Sequence, residues 1–184
     1  MKIFTALIIT LLSLSSFSAE KAGVKIPDTM KVNGSDLMLN GIGVRRATFL
    51  RIKVYVGGLY LTKKTNKTEE ILSQPYPKYI SMNFIRDVDK EDLQKAWFEG
   101  LEAAVEKSKR APLMKAFNEF NSRMVDIKKG QSILITFTKK GVETEVAGTK
   151  KPLIANSDFS RALLSVWFIN ARDEELRDEL MGKN

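Results

Sequence analysis

The sequence predicts an α+β fold in which an antiparallel sheet carries helices layered on one face. Three observations lead there. Strand-type and helix-type segments are segregated along the chain, in the order strands, helix pair, hairpin, helices, rather than alternating as a parallel sheet requires. The strand-type segments alternate apolar and polar residues with period two and meet at short turns. The 184 residues, 43% of them hydrophobic, contain no repeat, low-complexity tract or linker, so one core in one domain accounts for the chain.

The first segment stands apart from that fold. Met1-Lys2 is a short positive start, Ile3 to Leu14 is an apolar run too short to span a membrane comfortably, and Ser15 to Ala19 is a zone of mostly small residues. This is the layout of a secretory signal peptide. Phe17 is too bulky for the third position before a cut at Ala19, so cleavage after Ser18 is expected. Residues 1–18 are then the signal peptide and 19–184 the single domain. No later apolar run is long enough for a membrane span. The expected localisation is outside the inner membrane, in the periplasm or beyond.

Within the domain, Val24 to Asn40 reads as two short strands around an Asn33-Gly34 turn. Asn40 to Leu61 reads as one long strand opening on a Gly41-Ile42-Gly43 turn. Its even positions Leu50, Ile52, Val54 and Val56 are aliphatic and suit a core-facing side; its odd positions Arg45, Phe49, Arg51, Lys53 and Tyr55 are basic or aromatic. Thr68 to Ser73 is a short helix, ended by Pro75 and Pro77. A strand follows over Lys78–Arg86. Asp89 then caps a helix to about Lys107, with Leu93, Trp97, Leu101, Ala104 and Val105 as its apolar stripe. Pro112 starts a second helix carrying Leu113, Phe117, Phe120 and Met124. Gln131–Thr138 and Val142–Val146 form a hairpin, and a turn over 147–152 leads to Leu153–Ala155. Asn156 or Ser157 caps a helix through Phe168, and Asp173 to Met181 is a charged final helix ended by Gly182.

Composition excludes several chemistries. Cysteine and histidine are both absent, which removes Ser-His-Asp and Cys-His nucleophilic catalysis and the usual zinc sites. The formal charge is +8; removing residues 1–18 takes Lys2 with it and leaves +7. Such a balance suits anionic partners, whether a carboxylate ligand or a nearby membrane surface. Nucleic acid is not expected for an exported chain without a nucleic-acid motif. No cofactor is implied: Gly41-Ile-Gly43 lacks the third glycine of a dinucleotide fingerprint and no P-loop is present. Asp87, Asp89, Glu91 and Asp92 cluster where helix capping explains them. Arg45 and Arg46 suit bidentate pairing with a carboxylate or oxyanion, although residue types alone favour a solvated pair, the usual fate of arginines. Trp97 and Trp167 lie on apolar helix stripes and are expected in the core.

Four stretches together carry a family resemblance: Leu39–Arg46 (LNGIGVRR), Val54–Leu61 (VYVGGLYL), the strand-to-helix passage Tyr79–Leu101, and Asp158–Leu164 (DFSRALL) with Trp167 after it. In this order they resemble the chalcone isomerase-like superfamily, and its exported bacterial members more than the plant enzymes. The resemblance implies an open-faced sandwich, a large antiparallel sheet under a helical layer, with a ligand cleft between them. In the plant enzymes a cleft arginine follows the glycine-rich segment; Arg45 matches it. A threonine on the same sheet segment helps hold a catalytic water, and Tyr55 stands there. A tyrosine and an asparagine on the following helix correspond to Leu93 and Gly100. A hydroxyl-bearing pair on the late helix corresponds to Phe159 and Ser160, of which only Ser160 keeps the hydroxyl.

A retained cation without its proton-handling companions points to binding without isomerisation. Fatty-acid-binding members of the superfamily hold a carboxylate with an arginine at this place, usually with a tyrosine. The expected site is therefore Arg45 on the anionic head of a small amphipathic ligand, Tyr55 donating a hydrogen bond from the same strand face, Ser160 nearby, and Trp97 along the apolar part. The alternatives are a lyase or isomerase with Arg45 stabilising an oxyanion, and a structural or partner-binding envelope protein. Oligomeric state is not specified by the sequence.

Overall fold

The computed structural model describes residues 18–183. The predicted signal peptide falls outside them except for Ser18. The architecture is the expected α+β sandwich. Strands β1 (Ser18–Lys21) and β2 (Val24–Pro27) pair with each other as a separate hairpin. Strands β3 (Thr29–Val32), β4 (Ser35–Ala47), β5 (Ile52–Leu61), β6 (Lys78–Phe84), β7 (Ser132–Phe137), β8 (Val142–Val146) and β9 (Thr149–Ile154) form one seven-stranded sheet in chain order. Every neighbouring pair is antiparallel. The helices are α1 (Thr68–Ser73), α2 (Lys90–Ala104), α3 (Lys107–Arg110), α4 (Met114–Ser122), α5 (Ser157–Ser165) and α6 (Glu174–Leu180). Pro112 lies in a 3-10 turn that runs into α4.

The sheet has a core on its helical face and a smaller one behind β3–β6. On the helical side Leu59, Ile80, Met82, Phe84, Ile133 and Ile135 pack beneath Leu93, Trp97, Leu101, Phe117, Phe120, Phe159 and Leu163. On the other side the β1–β2 hairpin covers a smaller core of Ile26, Leu37, Leu39, Tyr60 and Tyr79. Tyr60 donates from its hydroxyl to the Pro27 carbonyl at 2.8 Å, which ties the hairpin down.

The expected long strand is two strands. The chain reverses over Thr48–Arg51, with the Arg51 amide on the Thr48 carbonyl at 3.1 Å. Thr48 (φ 60°) and Arg51 (φ 53°) take the left-handed region that glycine usually supplies. Leu50, expected in the core, is therefore at an exposed tip beside Phe49. Of the four aliphatic positions, Val56 is buried on the back face, sharing the parity of Gly58 and Tyr60. Ile52 and Val54 instead line the helical-side cleft. A β-bulge explains Val54. Pairing passes from Arg45↔Tyr55 to Arg46↔Lys53 and skips it, so Val54 and Tyr55 both reach the cleft.

Gly41 and Gly43 are likewise not a turn. They sit inside β4, facing α6. A Cβ at Gly41 would fall on the Glu179 and Leu180 carbonyls, within 2.5 Å of the latter, and one at Gly43 would stand 2.8 Å from Leu176 Cδ1. The glycines let a helix lie directly on the sheet.

That helix also closes an edge. Beyond β3, the residues of β4 that follow Asn40 have only β5 as a partner strand. The Val44 amide donates to Glu179 Oε2 at 2.7 Å and the Arg46 amide to Asp173 Oδ2 at 2.7 Å. Two carboxylates thus cap backbone donors that would otherwise invite another strand. Asn40, itself bulged out of register, donates to the Leu180 carbonyl at 2.8 Å and accepts from the Thr65 amide at 2.7 Å, pinning the helix end.

Candidate ligand-binding site

A cleft of about 630 Å³ opens between the β4–β5–β6 part of the sheet and α2, within the size range of small-molecule sites. Its sheet wall carries Arg45, Val54, Tyr55, Met82 and Phe84. Its helical wall carries Leu93, Trp97, Gly100, Val166 and Trp167, and Asp173 and Leu176 close one end. The lining is mostly apolar; Arg45 and Asp173 form one polar end, and Asp87, Asp92, Lys95 and Glu99 add charged groups along α2 and its approach.

Arg45 and Tyr55 are direct partners across the β4–β5 ladder, not residues ten apart on one strand. Arg45 lies at the cleft margin, its side chain 22% exposed. Its Nη1 donates to the Arg46 carbonyl and pairs with Asp173 Oδ2 at 3.2 Å. Among the described residues, Nε and Nη2 make no hydrogen bond. Asp173 is also the α6 N-cap, accepting the Leu176 amide at 3.0 Å.

Tyr55 is buried, and its hydroxyl accepts from Trp167 Nε1 at 3.1 Å. Burial pushes its pKa up to about 12; the Arg45 charge and the Trp167 bond oppose that, and Asp173 adds to it. The phenol is therefore neutral and retains a proton to donate, and no acceptor takes it among the described residues. Trp97 packs edge-on against Phe120 (centroids 4.9 Å) and Trp167 (5.4 Å). It is at once a core residue, as expected, and part of the cleft wall. Its Nε1 is a buried donor without a partner among the described residues, an uncommon state for a buried N–H.

Of the four expected site residues, Arg45, Tyr55 and Trp97 meet at this cleft. Ser160 does not. It is fully buried in α5 and lies off the cleft lining, its hydroxyl unpaired among the described residues. Its place on the turn after the Asn156 cap turns it into the core beside Phe159. Sequence reasoning missed Asp173 as a neighbour of Arg45, and Trp167 as the partner of Tyr55. Asp173 was legible as a helix start, but nothing local ties it to a residue 128 positions earlier. No cluster of three or more His, Cys, Asp or Glu side chains placed to hold a metal occurs among the described residues, and no helix there is long and apolar enough to cross a membrane.

The family model described as chalcone isomerase-like matches residues 18–182. The chain belongs to the chalcone isomerase-like family. Among solved structures, it is similar to the Arabidopsis thaliana fatty-acid binding protein AtFAP1, with a TM-score of 0.70, 15% identity, 91% of this chain covered and 97% of that one. No curated protein matches this chain in sequence. The likeness to AtFAP1 shows the chalcone isomerase-like fold. Within it, Leu93 and Gly100, the positions that resemblance equates with the plant tyrosine and asparagine, both line the cleft. At Gly100 a Cβ would stand 2.6 Å from Val166 Cγ1, so any side chain there requires Val166 to shift.

Proposed function

We propose that this chalcone isomerase-like protein binds a small amphipathic anion, such as a fatty acid, and does not turn it over. The observation that carries the reading is the convergence of Arg45, Tyr55 and Trp97 on one mostly apolar cleft. The apolar walls suit an acyl chain. At the polar end, Arg45 Nε and Nη2 have no partner among the described residues and can take a carboxylate, in the bidentate geometry that guanidinium favours. The neutral Tyr55 hydroxyl adds a donor. The family fold, and the fatty-acid binding protein AtFAP1 that shares it, agree with this reading. Leu93 and Gly100 bring no proton-handling group to the walls they occupy, which supports binding rather than ring closure.

The same reading makes the protein an exported, periplasmic one, with residues 1–18 removed. Native mass spectrometry of protein purified from its own compartment tests it, with a co-purifying lipid expected. Arg45→Ala is expected to weaken binding of a fluorescent fatty acid at least about tenfold. Unchanged affinity in that variant would remove the anion clamp.

A further inference from the structure

Phe49 and Leu50 are adjacent, and 91% and 66% exposed; the next most exposed large hydrophobic among the described residues, Phe98, reaches only 42%. Isolated exposed apolar residues are ordinary. A pair at the end of a long hairpin is a different arrangement, because neither sheet face nor helix layer can reach it. The left-handed Thr48 and Arg51 on either side fix the reversal that carries the two side chains away from the body.

We propose that this tip seats the protein on an anionic lipid bilayer, with Phe49 and Leu50 entering the boundary between headgroups and acyl chains. Charge and position favour a bilayer. Arg51 and Lys53 flank the apolar pair, and both are exposed. Arg51 pairs with Glu175 but keeps a side chain 63% exposed. Of the acids that line the cleft, Asp173 pairs with Arg45, Asp87 with Lys128 and Glu99 with Arg172. A basic stem under an apolar point is the pattern of interfacial membrane binding. Ala47, Thr48 and Ile52, at the base of the tip, line the cleft. A bilayer-seated tip thus brings the cleft mouth to the source of an acyl ligand. A protein partner fits less well: one Phe and one Leu bury a few hundred Å² at most, far below the roughly 1,200 Å² of a stable interface.

The inference does not depend on what the cleft holds, and its primary readout is vesicle binding. Flotation of the purified mature protein compares phosphatidylcholine vesicles with and without phosphatidylglycerol. Binding is expected on the anionic vesicles and is expected to weaken with salt. F49S/L50S is expected to lower partitioning at least about tenfold, while keeping the melting temperature and the fatty-acid affinity of the unaltered protein. Because the chain has no cysteine, Phe49→Cys accepts a single environment-sensitive dye, whose emission should shift to the blue on anionic vesicles. Equal flotation of F49S/L50S and unaltered protein, or a dye that stays in water, overturns the proposal. So does a dimer in light scattering that F49S/L50S dissolves, which would make the tip a contact between copies.

Discussion

Arg45 is held by Asp173, Nη1 to Oδ2 at 3.2 Å, while the same carboxylate oxygen accepts the Arg46 amide at 2.7 Å. The cation at the polar end of the cleft therefore has an acid of the protein's own beside it. Asp173 also caps α6, the helix that closes the β4 edge. One side chain thus links cleft electrostatics to the docking of the C-terminal helix.

An incoming carboxylate must share Arg45 with that acid. Asp173→Asn keeps a capping oxygen but removes the negative charge. It is expected to raise affinity for a fatty acid about fivefold to tenfold by removing like-charge repulsion of about 1 kcal/mol. It should cost about 1 kcal/mol of stability, since one carbonyl oxygen cannot replace two carboxylate oxygens on the Arg46 and Leu176 amides. Titration with a fluorescent fatty acid and urea unfolding read the two effects separately. Affinity that stays level or falls would show that Asp173 does not compete with the ligand.

Contact between α6 and the sheet depends on the absence of side chains. At Gly41 an added Cβ meets backbone carbonyls of Glu179 and Leu180, which cannot rotate away. Gly41→Ala is expected to destabilise by about 3 kcal/mol, the upper range for overpacking, read as a lower urea midpoint. Gly148→Ala, at φ +79° with nothing within 4 Å, should cost only about 1 kcal/mol, from backbone conformation alone. Equal losses in the two variants would contradict the close-packing account.

These two glycine roles mark where the sequence could be read and where it could not. Local rules served well where the cause is local. Asn33-Gly34 is the β3–β4 turn, with both residues at positive φ. Asn156 caps α5 through the Phe159 amide, and α6 runs from the Asp173 cap to Gly182 as expected. The α+β class followed from the segregation of strands and helices. The β4–β5 reversal escaped because Thr48-Phe49-Leu50-Arg51 has no Gly, Asn, Asp or Pro, the residues that announce a turn. Gly41-Ile-Gly43 misled in the opposite sense, since a glycine pair reads as a turn unless the distant helix packed on it is known. In the site, residue types alone favoured a solvated Arg45, and the family resemblance pointed to the cleft instead. Asp173 as its companion and the inward turn of Ser160 are tertiary facts with no local trace.

Tyr55 is the acceptor for Trp167 Nε1 at 3.1 Å, deep between sheet and helices. Tyr55→Phe keeps the ring against Phe84, centroids 5.5 Å apart, and removes only the oxygen. The indole N–H is then buried without a partner, which is expected to cost about 1 to 3 kcal/mol by chemical denaturation. Tyr55→Phe/Trp167→Phe removes donor and acceptor together and should be less destabilised than the sum of the single variants. Simple additivity in that cycle would mean that the hydrogen bond contributes nothing measurable.

Lys78 is 1% exposed, at the start of β6. Its Nζ donates to the Leu72 carbonyl at 3.1 Å and lies 4.4 Å over the Tyr76 ring centroid. No carboxylate pairs with it among the described residues. Burial, and secondarily the positive charge of Arg161, push its pKa down from 10.5 to about 8. The sign follows from proton counting. Between about pH 8 and 10.5 the unfolded chain keeps a proton that the folded chain releases, so this group makes stability rise with pH across that window. The penalty is fully present below about pH 8. Lys78→Met removes the titration, and its lost bond to Leu72 shifts stability by a similar amount at every pH. The stability of the unaltered protein relative to Lys78→Met is therefore expected to improve by roughly 1 to 2 kcal/mol from about pH 7 to about pH 10. Denaturation of both proteins across that range measures it, and a difference that stays constant with pH would show that Lys78 folds in without losing its ordinary charge.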